Sequence, residues 1–356
     1  MTDKEKVMSD YHMYISKKIV FISICIVLTI VAFGLQLSLG KFNIGFLESY
    51  QVLINHLKGA TPVGDDVMKD MVVWELRLPR AIGGIAVGAG LGICGAAMQS
   101  SLRNPLADPY TTGIASGASL GAAVAIILGI SLVPSMSGQG AIVGNAFLFS
   151  LIPSTVIIMV SAVKKASPTS MILIGVAVMY IFSATTSLLM LYANPDNLAE
   201  VYLWNVGTLG KSSWDNVTFL VVAAVIGIIL LQILARILNA LSMKDACVIS
   251  IGVNSKRIRI FVLVIVSLVT ALLVSFTGTI GFVGLVAPHM VRIFIGSDNR
   301  YLIPASAAFG AFLLLAADCV AKEAGSTGLP VGVITALIGG PLFLLLVMRQ
   351  RKSAWS

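Results

Sequence analysis

The stretch "GAGLGICGAAMQSSLRNPLADP", residues 88–109, decides the fold. It matches the dinucleotide-binding pattern G-x-G-x-x-G at Gly90, Gly92 and Gly95, which has physical meaning only where a strand ends and a helix begins. These glycines lie in the uncharged run 81–102, which is long enough as a helix to cross a hydrocarbon core of about 30 Å. We therefore interpret the stretch as a membrane-spanning helix and not as a nucleotide site.

Small residues recur at every fourth position along this helix. Gly84, Gly88 and Gly92 are followed by Ala96 and Ser100, so all five lie on one face. Because lipid provides no hydrophobic driving force between helices, such small residues let two helix backbones come into contact. We predict that Gly84, Gly88 and Gly92 are helix-packing residues.

The composition of the whole chain is that of a membrane protein. Of its 356 residues 57% are hydrophobic and 11% are charged, against about 25% charged in a soluble domain. The mean hydropathy is +0.96. The net charge of +8 does not indicate a nucleic-acid partner here, because basic residues in a bilayer protein report its orientation. The four cysteines have no C-x-x-C spacing and are interpreted as small hydrophobic residues.

Uncharged runs predict an all-α polytopic protein with about ten transmembrane helices. The runs at 109–163 and 260–291 are each divided into two crossings, at "SLVPSMSGQG" and near residues 278–284. The runs are 19–40, 81–102, 109–163, 166–195, 216–235, 260–291, 301–317 and 324–348. The stretch "NPDNLAEVYLWNVGTLG", residues 194–210, is interpreted as a short helix on the outer surface. The sixth crossing begins after it.

The basic residues predict that both termini are cytoplasmic. With that orientation most of the 24 Lys and Arg residues lie inside. The outer side keeps Lys41, Lys58, Lys69, Arg77, Arg80, Lys211 and Lys322. We predict a cytoplasmic N-terminal tail at 1–18, a single transmembrane domain at 19–348 and a cytoplasmic C-terminal tail at 349–356. The similar placement of Arg80 before "RNPLADP" and of Arg259 before "SFTGTIGFVGLVAP" predicts an inverted repeat.

Few ionisable residues lie within the predicted spans. Asp318, His289 and Arg292 are the exceptions, whereas ion-coupled transporters need buried groups that carry protons or hold cations. The "GKS" at 210–212 lacks the preceding glycine of a P-loop, because that position is Asn205. The sequence contains no catalytic constellation and no metal cluster, so we predict no enzymatic activity, no cofactor and no ATP site on this chain.

Two basic regions each admit two interpretations. Arg77 and Arg80 are interfacial anchors, or they form a docking patch for an acidic partner. Residues 239–260 are an ordinary loop, or they carry movement from a soluble motor subunit to the spans.

Several long motifs in order resemble the permease subunits of ABC importers for iron-siderophores, haem and cobalamin. These are "ELRLPR" at 75–80, "GAAMQSSLRNPLADPYTTGIASGASLGA" at 95–122, "GTIGFVGLVAPHMVR" at 278–292, "GSDNRYLIPASAAFGAFLLLAAD" at 296–318 and "LPVGVITALIGGPLFLLLV" at 329–347.

The resemblance implies a ten-span permease in the cytoplasmic membrane that pairs with a second copy. Two cytoplasmic ABC ATPase subunits would hydrolyse ATP below it, and an extracytoplasmic substrate-binding protein would dock above it. The resemblance assigns that docking to Arg77, Arg80 and Lys322, the last standing where better-known members have Arg.

The resemblance also implies a cytoplasmic coupling segment at about 239–256. The family pattern there is Gly, acid, two residues, Ala, two residues, Leu and Gly, of which this chain keeps the acid and the final Gly. The aligned residues are Lys244, Asp245, Val248, Ile251 and Gly252.

Two rival functions remain open from the sequence. An ion-coupled secondary transporter would depend on Asp318, and a membrane receptor or scaffold would bind partners without moving a substrate. The sequence does not distinguish a siderophore from haem or a corrinoid as cargo, nor a homodimer from a heterodimer.

Overall fold

The computed structural model describes residues 3–163, 167–243, 248, 252, 254–325 and 328–349. These residues form an all-helical bundle without a strand among them. The helices are α1 (Asp3–Ser38), α2 (Phe46–Leu57), α3 (Asp65–Met71), α4 (Leu78–Leu102), α5 (Ile114–Leu128), α6 (Gln139–Val163), α7 (Pro168–Leu191), α8 (Pro195–Val206), α9 (Trp214–Ile233), α10 (Ala235–Leu241), α11 (Ser255–Thr277), α12 (Val283–Ile295), α13 (Asn299–Glu323) and α14 (Val331–Arg349).

The helix boundaries follow local sequence signals. α7 begins at Pro168 after Ser167, whose hydroxyl accepts a hydrogen bond from the Ser170 amide. α8 begins at Pro195 after Asn194, which caps the helix through the Asn197 amide. The predicted division at "SLVPSMSGQG" is confirmed by the gap between α5 and α6, and the predicted surface segment contains α8.

Seven helical stretches among the described residues are long and apolar enough to cross a membrane. Three shorter apolar helices, Ile114–Leu128, Val283–Ile295 and Val331–Leu345, accompany them. The stretch Asp65–Leu102 is the most enclosed, with 89% of its most apolar window buried, whereas the corresponding window of Pro168–Leu191 is only 17% buried. α4 is therefore the central helix of the bundle and α7 a peripheral one.

The small-residue stripe of α4 packs against the antiparallel helix α13. A Cβ atom at Gly88 would lie 2.4 Å from the Gly310 carbonyl oxygen, and one at Gly92 would lie 2.3 Å from the Ser306 carbonyl oxygen. At Gly84 the nearest atom would instead be a methyl group of Leu315, at 2.8 Å. Two helix backbones thus approach each other at Gly88 and Gly92, while Gly84 faces flexible side chains.

Irregular chain precedes both short helices at the predicted repeat motifs, α5 after "RNPLADP" and α12 within "SFTGTIGFVGLVAP". α5 follows a short segment after α4 that includes one 3₁₀ turn, Pro109–Thr112, and α12 follows residues 278–282. The two segments contact each other, because the Tyr110 hydroxyl accepts a hydrogen bond from the Ile280 amide at 3.1 Å. The inverted repeat itself stays a prediction.

The chain between α1 and α4 contains helices that the sequence analysis did not predict. α2 and α3 are short, and a π-helical turn, Val72–Arg77, joins α3 to α4. The His56 ring stacks on Trp74 at 3.9 Å between ring centroids, and Trp74 lies 5.1 Å from Trp214. The uncharged-run criterion missed these helices because they are short and carry charged residues.

The helix α1 runs without a break through the predicted tail boundary at residue 18. Lys18 is 1% exposed, and its ammonium group lies over the Tyr14 and Tyr301 rings at 4.1 and 4.6 Å from their centroids. The Asp298 carboxylate is 3.9 Å away. Cation–π contacts of this kind stabilise a desolvated ammonium. Lys18 therefore stabilises the packing of α1 against the start of α13.

Candidate functional site

One end of the α4–α13 pair carries a buried ion pair. Arg80, at the start of α4, donates from Nε and Nη2 to the two carboxylate oxygens of Asp318 on α13, at 2.8 and 2.7 Å. The Asp318 side chain is 0% exposed and that of Arg80 is 21% exposed. Gln36 of α1 also donates to Asp318 through Nε2. This geometry is a bidentate, charge-assisted contact that joins three helices.

Arg77 is directed inward, onto the end of α1. Its Nη1 donates to the Leu37 and Ser38 carbonyl oxygens, both at 2.7 Å, and its Nη2 donates to the Phe42 carbonyl oxygen. The last carbonyls of a helix lack intrahelical partners. Arg77 therefore provides hydrogen bonds to the free carbonyl groups at the C-terminal end of α1. The residue is only 5% exposed.

Lys322 completes this group of residues. Its Nζ donates to the Gln36 carbonyl oxygen at 2.9 Å, and the residue is 9% exposed. We call Gln36, Arg77, Arg80, Asp318 and Lys322 the Arg80 cluster. Three basic residues that the sequence separates by as many as 245 positions are thus neighbours in the fold.

The Arg80 cluster borders a cavity of about 550 Å³. Arg77, Arg80 and Lys322 all line it, together with parts of the chain after α1 and before α14. The sequence analysis treated the two arginines as anchors or as a free docking patch, and neither interpretation anticipated their internal partners. Asp318 was the signal in the sequence that could have predicted an internal partner for an arginine, since a lone carboxylate in an apolar span needs a cation nearby.

The predicted coupling residues lie only partly in the described chain. Val248 is 0% exposed and belongs to the main hydrophobic core. Gly252 has a φ of +78°, a left-handed conformation that glycine adopts without strain. Lys244, Asp245 and Ile251 lie outside the described residues.

A second polar cluster lies at the opposite end of the α4–α13 pair. Asn239 of α10 accepts hydrogen bonds at Oδ1 from the Asn299 amide and side chain, at 2.7 and 2.9 Å, and donates to Asp298 at 2.7 Å. The Ser100 hydroxyl donates to Asn299 Oδ1 at 2.8 Å. We call Ser100, Asn239, Asp298 and Asn299 the Asn239 cluster.

Asp298 is the charged member of the Asn239 cluster. Burial by itself raises the pKa of its carboxyl, but hydrogen bonds from Arg300 and Asn239 outweigh this and lower the pKa to about 2. The group is therefore ionised at neutral pH. Because the folded-state pKa lies below the ordinary value, the stability that Asp298 contributes is present above pH ~4 and is lost as the pH falls towards 2.

The described residues contain no group of three or more His, Cys, Asp or Glu side chains that could hold a metal ion. Cys25, Cys94 and Cys319 are buried free thiols, and Cys247 lies outside the described residues. The hydrogen bonds of the Arg80 cluster join α1, α4 and α13, and those of the Asn239 cluster join α4, α10 and α13.

Residues 28–349 match the FecCD transport family. The chain belongs to this family. Among its relatives in the FecCD family, the cobalamin import system permease of Halobacterium salinarum is 41% identical, over 79% of this chain and 74% of the relative. The hemin transport system permease of Yersinia pestis is 36% identical, over 89% of this chain and 93% of the relative.

A solved structure resembles this FecCD chain along most of its length. It is described as an inward-facing conformation of a metal-chelate type ABC transporter, with a TM-score of 0.80 and 27% identity. The match covers 92% of this chain and 99% of the other. With its apolar helices and this family membership, the chain is an ABC-type permease and a multi-pass protein of the cytoplasmic membrane.

Proposed function

We propose that this chain is the membrane subunit of an ABC importer that moves a metal chelate or corrinoid into the cell. ATP hydrolysis in two partner subunits would drive the transport, and the permease itself would catalyse no reaction. The observation that carries this proposal is the family match across residues 28–349, which leaves only the two ends of the chain outside it.

The proposed topology has ten crossings with both termini in the cytoplasm. The seven long apolar stretches and the three shorter helices together support that number. From Arg80 to Ser100, α4 rises about 30 Å, which is the thickness of a hydrocarbon core. In this orientation the Arg80 cluster is extracytoplasmic and the Asn239 cluster is cytoplasmic.

The proposed cargo is an iron-siderophore, haem or a cobalamin-type corrinoid. The support comes from the relatives, which are named for hemin and cobalamin transport. These compounds are bulky, so a pathway that binds them weakly would let them leave as readily as they enter.

The surroundings of Asp318 favour an external energy source over ion coupling. An ion-coupled carrier needs a carboxylate that gains and loses a proton or cation during transport. Asp318 is the candidate for this role, yet its two oxygens accept hydrogen bonds from Arg80 and Gln36 and its side chain is fully buried. Its charge is thus already balanced by a guanidinium.

The first prediction concerns the energy source. In proteoliposomes that hold this chain with its ATPase and binding protein, uptake of labelled haemin, cyanocobalamin or a ferric hydroxamate chelate is expected to require internal ATP. Because Asp318, the candidate coupling carboxylate, is already paired with Arg80, an ionophore is expected to leave this uptake unchanged. Uptake by the permease alone that follows an imposed ion gradient would instead support the secondary transporter.

We further propose that the cavity beside the Arg80 cluster receives acidic side chains of the binding protein. Arg77, Arg80 and Lys322 line this cavity. Arg80 is paired with Asp318, whereas Arg77 and Lys322 donate to backbone carbonyl oxygens and to no carboxylate of the cluster. Opposite charges across a docking surface orient the partner and speed association. A second permease copy would place a second such cavity beside the first, matching the two lobes of a binding protein.

The second prediction tests this docking surface. Lys322→Met is expected to weaken binding of the binding protein roughly 2- to 5-fold, the range of one partly exposed ion pair. Binding is measured in detergent at low and at high salt, and the salt dependence is expected to decrease in the variant. Lys58→Met removes an exposed charge from the end of α2 and is the control. Equal affinities of wild type and Lys322→Met at low salt would rule out this cavity as the docking site.

The proposed coupling segment stays at about 239–256, with Lys244, Asp245, Val248, Ile251 and Gly252 as its aligned residues. Of these residues the structure describes Val248, which is buried, and Gly252, which has a positive φ, and both are consistent with this assignment. An ATPase subunit would bind there.

A further inference from the structure

Three consecutive residues at the end of α4 contact three different helices. Gln99 accepts a hydrogen bond at Oε1 from Arg292 of α12 at 2.8 Å. Ser100 donates to Asn299 of α13, as described above. The Ser101 carbonyl oxygen accepts from Arg259 Nε of α11 at 2.9 Å. All three residues of α4 are buried, so these contacts are shielded from competing water.

Two of these contacts lead to the two ends of the coupling segment. Asn239 lies in α10, at the first residue of the segment, and reaches Ser100 through the Asn299 side-chain amide. Arg259 lies in the second turn of α11, immediately after the segment, and reaches Ser101 directly. Both ends of the segment are therefore hydrogen-bonded to the same turn of α4.

α4 and α13 contact each other repeatedly between this point and the Arg80 cluster. Gly88 and Gly92 hold the two backbones in contact midway, and Arg80 joins them again through Asp318. Because closely packed protein interiors deform little, we expect the two helices to shift together. A displacement of the coupling segment would thus reach the opposite end of the bundle through this helix pair.

We propose that Asn239 and Arg259 are positioning residues that transmit movement of the coupling segment to α4 and α13. This inference rests on the proposed function, because it requires an ATPase that moves the segment. It adds two residues outside the aligned coupling pattern and assigns the α4–α13 pair as the element that moves.

The test measures movement at both ends of the bundle in the assembled transporter. Spin-label pairs are placed by cysteine substitution at Met243 with Val163, and at Val320 with Leu191, after the native cysteines are replaced by alanine. All four labelled positions are exposed. The first pair reports the coupling segment and the second reports the Arg80 end of α13, each with and without ATP and vanadate.

In the wild type, ATP is expected to change both distances. Asn239→Ala and Arg259→Gln are each expected to retain the change at Met243 and to reduce the population that responds at Val320 about 3- to 30-fold. Arg257→Gln removes an exposed arginine from the same turn of α11 and is expected to leave both changes intact. Should Asn239→Ala fail to fold, Ser100→Ala interrupts the same hydrogen-bonded path with the loss of one oxygen atom.

Two results would overturn the inference while leaving the proposed function in place. These are an unchanged response at Val320 in the Asn239 and Arg259 variants, and an equal loss of response at both ends. A wild-type complex with no ATP response at Met243 would instead contradict the proposed function, and with it the inference.

Discussion

Arg80→Met is expected to destabilise the protein by about 3–5 kcal/mol, because it leaves the Asp318 carboxylate buried without its cation. The carboxylate side chain is 0% exposed, so water cannot replace the guanidinium. Asp318→Asn is expected to cost less. It leaves an unpaired guanidinium whose side chain is 21% exposed and can still reach water.

The measurement is the thermal stability of the purified proteins in one detergent, with size-exclusion profiles as a check on folding. The double variant Arg80→Met, Asp318→Leu removes both charges and is expected to recover much of the loss, since apolar replacement of a whole buried pair is often neutral. Lys211→Met, at an exposed lysine, is the control and is expected to change stability by less than about 0.5 kcal/mol. Equal losses in Arg80→Met and Lys211→Met would show that the ion pair does not stabilise the fold.

Gly88→Ala and Gly92→Ala are expected to destabilise the bundle by about 1–3 kcal/mol each. At both positions the added methyl group would overlap a backbone carbonyl of α13, at 2.4 and 2.3 Å. A carbonyl in a helix cannot rotate away, so the two helices must separate. The loss exceeds the gain of roughly 0.5–1 kcal/mol that alanine has over glycine inside a helix.

Gly84→Ala is the matched control on the same face of α4. Its methyl group would meet side-chain atoms of Leu315 and Leu209, which can change rotamer. We expect this variant to be close to neutral in the same thermal assay. If Gly84→Ala were as damaging as Gly88→Ala, then contact between the two backbones would not be what these glycines provide.

The sequence alone was sufficient for the membrane class and for the principal helices. Charge is expensive in a bilayer, so each long uncharged run had to be a helix with its backbone hydrogen bonds satisfied internally. Spacing of four then placed Gly84, Gly88 and Gly92 on one face without reference to a partner. The short helices α2 and α3 were not predicted, because they lie outside the uncharged runs and contain charged residues.

Only the tertiary structure showed which helix packs against the glycine face of α4. It also showed which charged residues form pairs. Arg80 and Asp318 are 238 positions apart, and no local pattern links an arginine before one span to a carboxylate in another. The same holds for Asn239 and Asn299, 60 positions apart. The sequence determined that these polar groups lie at span ends, because lipid excludes them from the middle. Only the packing of α4 against α13 decided their partners, since hydrogen bonds and ion pairs act over a few ångströms and the chain brings those atoms together only when folded.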